Sequence, residues 1–308
     1  MKTDRKTRYY CGVIFLILSS FSFAVMNVSV RMAGDLPTYE KVFFRNLVAL
    51  IFAGIILLRR RHESRMYWNK ERAFYMTLRC VIGCMGVVGN FYAIDHMVVA
   101  DAAMLNKLSP FFVLIFSIFI LSERVKPFQW FCIILAFIGV MFIVKPGFVG
   151  MRLVPALVGI GGGMAAGFAY TCVRKMGQLG VPKTWIVFCF STFSCVIMIP
   201  FMLADFAPIP GRSLAWLLMA GLGAAGGQFA ITAAYTYAPA REISIYDYTQ
   251  LIFITVLSYI FIGEIPDRYS WIGYVIIIAG SFLLFFYNKR TIISETEGEA
   301  NTEDQHHM

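Results

Sequence analysis

The chain has 308 residues, of which 59% are apolar and only 15% charged, and its mean hydropathy is +0.70. A soluble domain is about half apolar and about a quarter charged, so these figures exclude one and indicate an integral membrane protein. The net charge of +9 gathers at the ends of apolar segments, so it is a topology signal and does not point to nucleic acid.

Ten apolar windows of about 20 residues each match a hydrocarbon core of ~30 Å at ~1.5 Å per helical residue. In chain order they cover about 9–33, 38–58, 73–94, 98–121, 128–145, 153–174, 183–203, 212–236, 242–262 and 269–287. The first follows a basic start, MKTDRKTR. It is too long for a signal-peptide core and lacks a small-residue exit, so it is expected to remain as a span. Short connections such as KPGFVG and DFAPIPG separate the windows. None shows sustained two-residue alternation, so helices fit and a β-barrel does not. The segment 289–308 is acidic and polar at its end (SETEGEANTEDQHHM) and is expected to be a disordered cytoplasmic tail.

With the N-terminus inside, eighteen Lys and Arg fall on inner segments and six on outer ones. The positive-inside rule then places both termini in the cytoplasm of a multi-pass cytoplasmic-membrane protein. The basic connection RRRHESRMYWNKER can also meet anionic lipid headgroups. Seven Cys (11, 80, 84, 132, 172, 189, 195) all fall in apolar windows. They read as small apolar fillers, with no His near Cys80 and Cys84 to suggest a metal.

Shifted by 141 residues, the chain aligns with itself. Glu123 falls on Glu264, Trp130 on Trp271, Gly139 on Gly280, Gly86 on Gly227 and Asp101 on Glu242, while a shift of 143 sets Arg31 on Arg174. Two five-helix repeats follow, 1–145 and 153–288. Five is odd, so the second repeat enters the membrane inverted. Inverted repeats are typical of secondary transporters, with the substrate site near the midplane where the halves meet.

The stretches NKLSPFFVLIFSIFILSERV, GVMFIVKPG and GEIPDRYSWIGYVIIIAG, in this order within a five-plus-five repeat, resemble the drug/metabolite transporter (DMT) superfamily, EamA-type branch. The resemblance covers about residues 10–288. It implies an all-α bundle of ten transmembrane helices around a central cavity, and transport of small metabolites without ATP hydrolysis. Asp247 in IYDYTQ departs from the neutral helix expected there and can mark a substrate subgroup.

A charge inside the bilayer is costly and usually faces a cavity or a partner. Lys107 lies about nine residues into the fourth window and Asp247 about five into the ninth, from opposite sides. In the 141 register Asp247 matches Asn106 and Tyr248 matches Lys107, so the polar clusters are symmetry partners. One reading gives Lys107 a substrate carboxylate and Asp247 an amine or a proton. A second pairs the two to lock the bundle, and a third lets Lys107 snorkel outward. Pro110 frees a backbone carbonyl in the turn before it, which Asn106, Lys107 and Ser109 could satisfy in a bent, cavity-lining helix. A plain packing kink is the other reading. Tyr246 and Gln250, one turn apart, are further cavity candidates.

Asn27, Arg45, Asn46, Arg79 and Asn90 are the polar groups inside the first-half windows. Arg45 and Asn90 join the substrate-binding candidates, Arg45 as an anion contact or a headgroup anchor. Glu123 and Glu264 end their helices, where a negative charge opposes the macrodipole. Each is expected to have a basic neighbour, with Arg124, Lys126 and Arg268 available, and to serve as a pin or gate. The glycine runs VGIGGGMAAGFAY and GLGAAGGQFA read as close-packing faces, since no strand and Walker lysine surround them.

With four His and no paired carboxylates or metal-spaced cluster, an enzyme is disfavoured; without charge rings or a carbonyl filter, so is a channel. The resulting expectation is an alternating-access secondary transporter for a small polar metabolite, with an amino acid or related zwitterion favoured. An organic anion held by Lys107 is the runner-up. No cofactor or metal is called for. The partners are the small-molecule substrate and membrane lipids, with a proton as candidate coupling ion and a homodimer as candidate assembly.

Overall fold

In a computed structural model, the described residues are 2–59, 67–122, 125–145, 153–205, 207–237 and 243–306. They are almost entirely helical: α1 (Lys2–Met32), α2 (Thr38–Arg59), α3 (Lys70–His96), α4 (Val99–Asn106), α5 (Ser109–Ile120), α6 (Pro127–Val144), α7 (Leu153–Gln178), α8 (Lys183–Ala204), α9 (Gly211–Tyr237), a 3₁₀ turn (Ser244–Tyr248), α10 (Thr249–Ile262) and α11 (Arg268–His306). Ten stretches are long and apolar enough to cross a membrane. Eight are single helices or parts of one. The fourth, Val99–Ile120, is α4 plus α5, and the ninth, Ile245–Ile262, joins the 3₁₀ turn to α10.

Local chemistry sets the helix ends. Asn69 caps α3 by accepting from the backbone N–H of Arg72 at 2.8 Å, and Pro127 opens α6 where no helical N–H is needed. Gly263, at φ 76°, ends α10 in the left-handed conformation that glycine adopts without strain. The backbone of α11 runs on as helix to His306.

Eight spans close into a ring. Going round it, the fourth packs on the sixth, then come the third, seventh, second, eighth, first and ninth, and the ninth returns to the fourth. Advancing each member by five gives the same circuit, which is the two-fold relation expected of an inverted repeat. Its two self-related contacts are second against seventh and fourth against ninth. The fifth and tenth spans pack on each other outside the ring, with Gly139 and Gly273 in close backbone contact.

The ring is tight because its glycines admit neighbouring backbone. Gly163 and Gly167 of α7 face the fourth span, and a Cβ on them would lie 2.6 Å from the Leu105 carbonyl oxygen and 2.8 Å from that of Ser109. Any larger residue would force these backbones apart. The two carbonyls flank the interruption between α4 and α5.

Candidate substrate site

The fourth span breaks at Lys107 and Leu108. Pro110 has no N–H to offer the carbonyl of Asn106, and the Phe111 N–H turns back to Leu108 O at 3.0 Å. The helix therefore stops and restarts, with Pro110 in the first turn of α5. The plain kink is replaced by a true interruption, which presents freed backbone groups beside a lysine.

The described part of the ninth span opens at the matching register position with the 3₁₀ turn from Ser244 to Tyr248. Its loosened backbone is tied down by side chains: Thr249 Oγ1 donates to Tyr246 O at 2.7 Å and Ser20 Oγ to Asp247 O at 3.3 Å. Lys107 crosses to this turn. Its ammonium forms an ion pair with the Asp247 carboxylate and lies 3.4 Å from the Asp247 carbonyl oxygen. The charges that the sequence places on opposite sides of the midplane thus meet directly, which rules out the snorkelling arrangement for Lys107. Non-helical backbone at membrane depth is tolerated only where protein or a wet cavity satisfies it, and Lys107 of the fourth span helps satisfy the turn of the ninth.

Around the pair lies a small pocket lined by Ala103, Met104, Lys107, Tyr248, Gln250, Leu251 and Ile254. The Tyr248 ring lies 5.9 Å from the lysine nitrogen, and its hydroxyl is hydrogen-bonded to Ser281. Gln250 is buried and faces the same space. Asn106 and Ser109 do not line it; their backbones pack on Gly163 and Gly167 of α7. Tyr246 points instead towards α1, with its hydroxyl 3.4 Å from that of Tyr9.

Arg45 and Asn90 do not join this group. Arg45 bonds Asn46 Oδ1 at 3.0 Å and lies near Arg79. Asn90 is buried where α3 meets α7, its Oδ1 without a hydrogen bond. Sequence reasoning set Tyr248 aside as the counterpart of Lys107 and passed over Ser20 entirely. Tyr248 could have been found by asking which aromatic flanks Asp247. Ser20 carries no signal in an apolar helix.

One mouth of the ring is tied shut across the two halves. Arg31 Nη2 bonds Glu264 Oε1 at 2.9 Å, and Glu264 Oε2 accepts the Val99 N–H at 3.1 Å, at the start of α4. The same arginine bonds the carbonyl oxygens of Ile94 and Asp95. The partner of Glu264 is therefore Arg31 of the first span, and not the sequence-adjacent Arg268. Glu123, the matching residue, lies outside the described residues. Nearby, Lys41 pairs with Asp95 at 2.7 Å, Tyr39 Oη donates to Asp205 O at 2.5 Å, and Lys145 pairs with Asp267. Partial burial would raise the Asp267 carboxyl, but Lys145 and the Ser270 N–H outweigh it and hold the group below its ordinary range.

This arrangement has relatives. The sequence profile of the EamA-like transporter family matches residues 10–145 and again 153–286. The pseudopaline exporter CntI of Pseudomonas aeruginosa is 31% identical over 276 residues, covering 89% of this chain and 95% of that one. The riboflavin transporter of Rhizobium johnstonii is 25% identical, with 90% and 92% covered, and the S-adenosylmethionine uptake transporter of Rickettsia prowazekii is 24% identical, with 96% and 99% covered. A solved crystal structure superposes with a TM-score of 0.63 at 15% identity, over 91% of this chain and 98% of the other, which supports the fold. Ten apolar spans and these matches define a multi-pass membrane transporter of small metabolites. The chain belongs to the EamA-like transporter family of the DMT superfamily.

Proposed function

We propose that this protein is an alternating-access secondary transporter of an amino acid or related zwitterion, whose charged ends displace the Lys107–Asp247 pair. The observation that carries this reading is the joining, by opposite charges, of the break in the fourth span to its register counterpart, the 3₁₀ turn that opens the ninth, in the wall where the two spans meet. A zwitterion can insert its carboxylate at Lys107 and its amine at Asp247, with Gln250 and Tyr248 beside them. Charge is then balanced in both the empty and the loaded site, so neither state leaves a buried ion unpaired. A proton on Asp247 is the alternative to the amine and would make it the coupling ion. The excess of basic residues on one set of connections supports placing both termini in the cytoplasm, in which case the Arg31–Glu264 mouth faces outward.

Thermal unfolding of the purified protein against amino acids, amines, carboxylates and nucleotide sugars tests this. A true substrate at ~100 times its dissociation constant stabilises the folded state by about 2.7 kcal/mol. Zwitterions should raise the melting temperature of the wild type and leave Lys107→Ala and Asp247→Asn unaffected. Variants that melt early yet respond normally to zwitterions would reduce the pair to a structural lock.

A further inference from the structure

We propose that Arg45 and Arg79 form a second subsite in the ring, an anion site that takes a further carboxylate of the transported solute. This rests on reading the ring of eight spans as the substrate pathway. Arg45 lies seven residues beyond Thr38 in α2, and Arg79 nine beyond Lys70 in α3. At ~1.5 Å per residue they are roughly 10 and 14 Å along their helices, away from both ends. Arg45 lies within electrostatic range of Arg79, and Tyr170 of α7 and Cys84 lie near both.

Four cations at or within the described spans pair with a carboxylate: Arg31 with Glu264, Lys41 with Asp95, Lys107 with Asp247 and Lys175 with Glu71. Among the described residues Arg45 and Arg79 have none. Arg45 finds the neutral Asn46 amide, and the Nε of both arginines is buried without a hydrogen-bond partner. Two like charges that feel each other inside a membrane are costly, and among the described residues no carboxylate offsets that cost.

The site is shaped for a plane. The Arg79 guanidinium lies 4.0 Å from the Phe190 ring centroid on α8. The guanidinium also lies over Gly83, where a Cβ would fall 1.9 Å from Arg79 Nη1 and make it shift. A guanidinium held flat presents paired N–H donors that match a carboxylate bidentately. Repeat packing does not require the pair, because the 141 register places apolar Ile186 and Ala220 at the matching positions. With Lys107 receiving one carboxylate and this pair another, the solute is an amino acid bearing at least one additional carboxylate.

The test uses purified full-length protein in detergent, with glutarate, citrate, glycine and inorganic phosphate as probes against potassium sulfate of equal ionic strength. Variants are Arg45→Gln, Arg79→Gln and Lys107→Ala. Citrate or glutarate should raise the wild-type melting temperature, and each Gln variant should bind them roughly tenfold or more weakly, the effect of losing a charge-assisted hydrogen bond. Without ligand the Gln variants should melt no lower than wild type, because a repulsion has been removed. Absence of a carboxylate response in the wild type overturns the inference. So does a response to phosphate alone, or a Gln variant that melts lower while keeping wild-type anion affinity. A glycine response lost in Lys107→Ala, without any citrate response, sinks this inference and leaves the proposed function standing. A citrate response that needs the arginines, with glycine indifferent to Lys107, does the reverse.

Discussion

The chemistry of the site rests on one ammonium and one carboxylate whose side chains are only 18% and 25% exposed. Removing either leaves the other without its ion, and removing Lys107 also takes a contact from the Asp247 carbonyl. A fully buried broken pair costs about 3–5 kcal/mol; partial exposure brings the expectation to about 2–3 kcal/mol. We expect Lys107→Met and Asp247→Leu each to lower stability by that amount in chemical or thermal unfolding. The double variant should recover most of it, because no unpaired charge remains. The two residues stand out in the sequence because a charge interrupts an apolar run. Their contact is one of three readings the sequence leaves open, since a repeat register reports equivalence and pairs Lys107 with Tyr248. Arg31 was hidden as the partner of Glu264 for a related reason: 233 positions separate them, and only the ring brings the first and ninth spans together.

Among the helices, the fourth span shows how much a proline can announce. Pro110 flagged the interruption from sequence, and the structure turns the expected bend into a stop and restart. The matching 3₁₀ turn from Ser244 to Tyr248 contains no Pro or Gly, so nothing in its composition gave it away. The glycines of α7 were legible as a packing face, although not which backbone they would meet. Gly167→Val should push α7 off the Ser109 carbonyl and cost about 1–3 kcal/mol by overpacking, read as a fall in melting temperature. It should also weaken zwitterion binding by displacing the break. At the mouth, Glu264→Gln removes the ion pair with Arg31 and weakens acceptance of the Val99 N–H. In a background with the native cysteines replaced by alanine, a cysteine placed at Met97 should then react several-fold faster with a membrane-impermeant maleimide. An unchanged rate would mean that the mouth is held by other contacts.

For the molecule as a whole, the ten spans could be read directly because a bilayer fixes helix length. The inversion followed because five is odd. The order round the ring, and the placement of the fifth and tenth spans outside it, depend on which apolar faces meet; hydropathy does not record this. The two-fold relation has a mechanical consequence. An arrangement closed by Arg31 and Glu264 at one mouth has an equivalent of opposite facing, and the paired breaks lie on a self-related contact that both arrangements share. Under the proposed mechanism the substrate site is one that either half can release.

The most direct measurement is zwitterion affinity in the charge-swapped protein Lys107→Asp/Asp247→Lys, alongside its melting temperature. If the pair recognises substrate, the swap restores most of the stability lost in single variants, while affinity stays roughly tenfold or more below wild type because each end of the ligand now meets a like charge. Recovery of wild-type affinity together with stability would contradict the account, and would make the Lys107–Asp247 pair a clamp between helices.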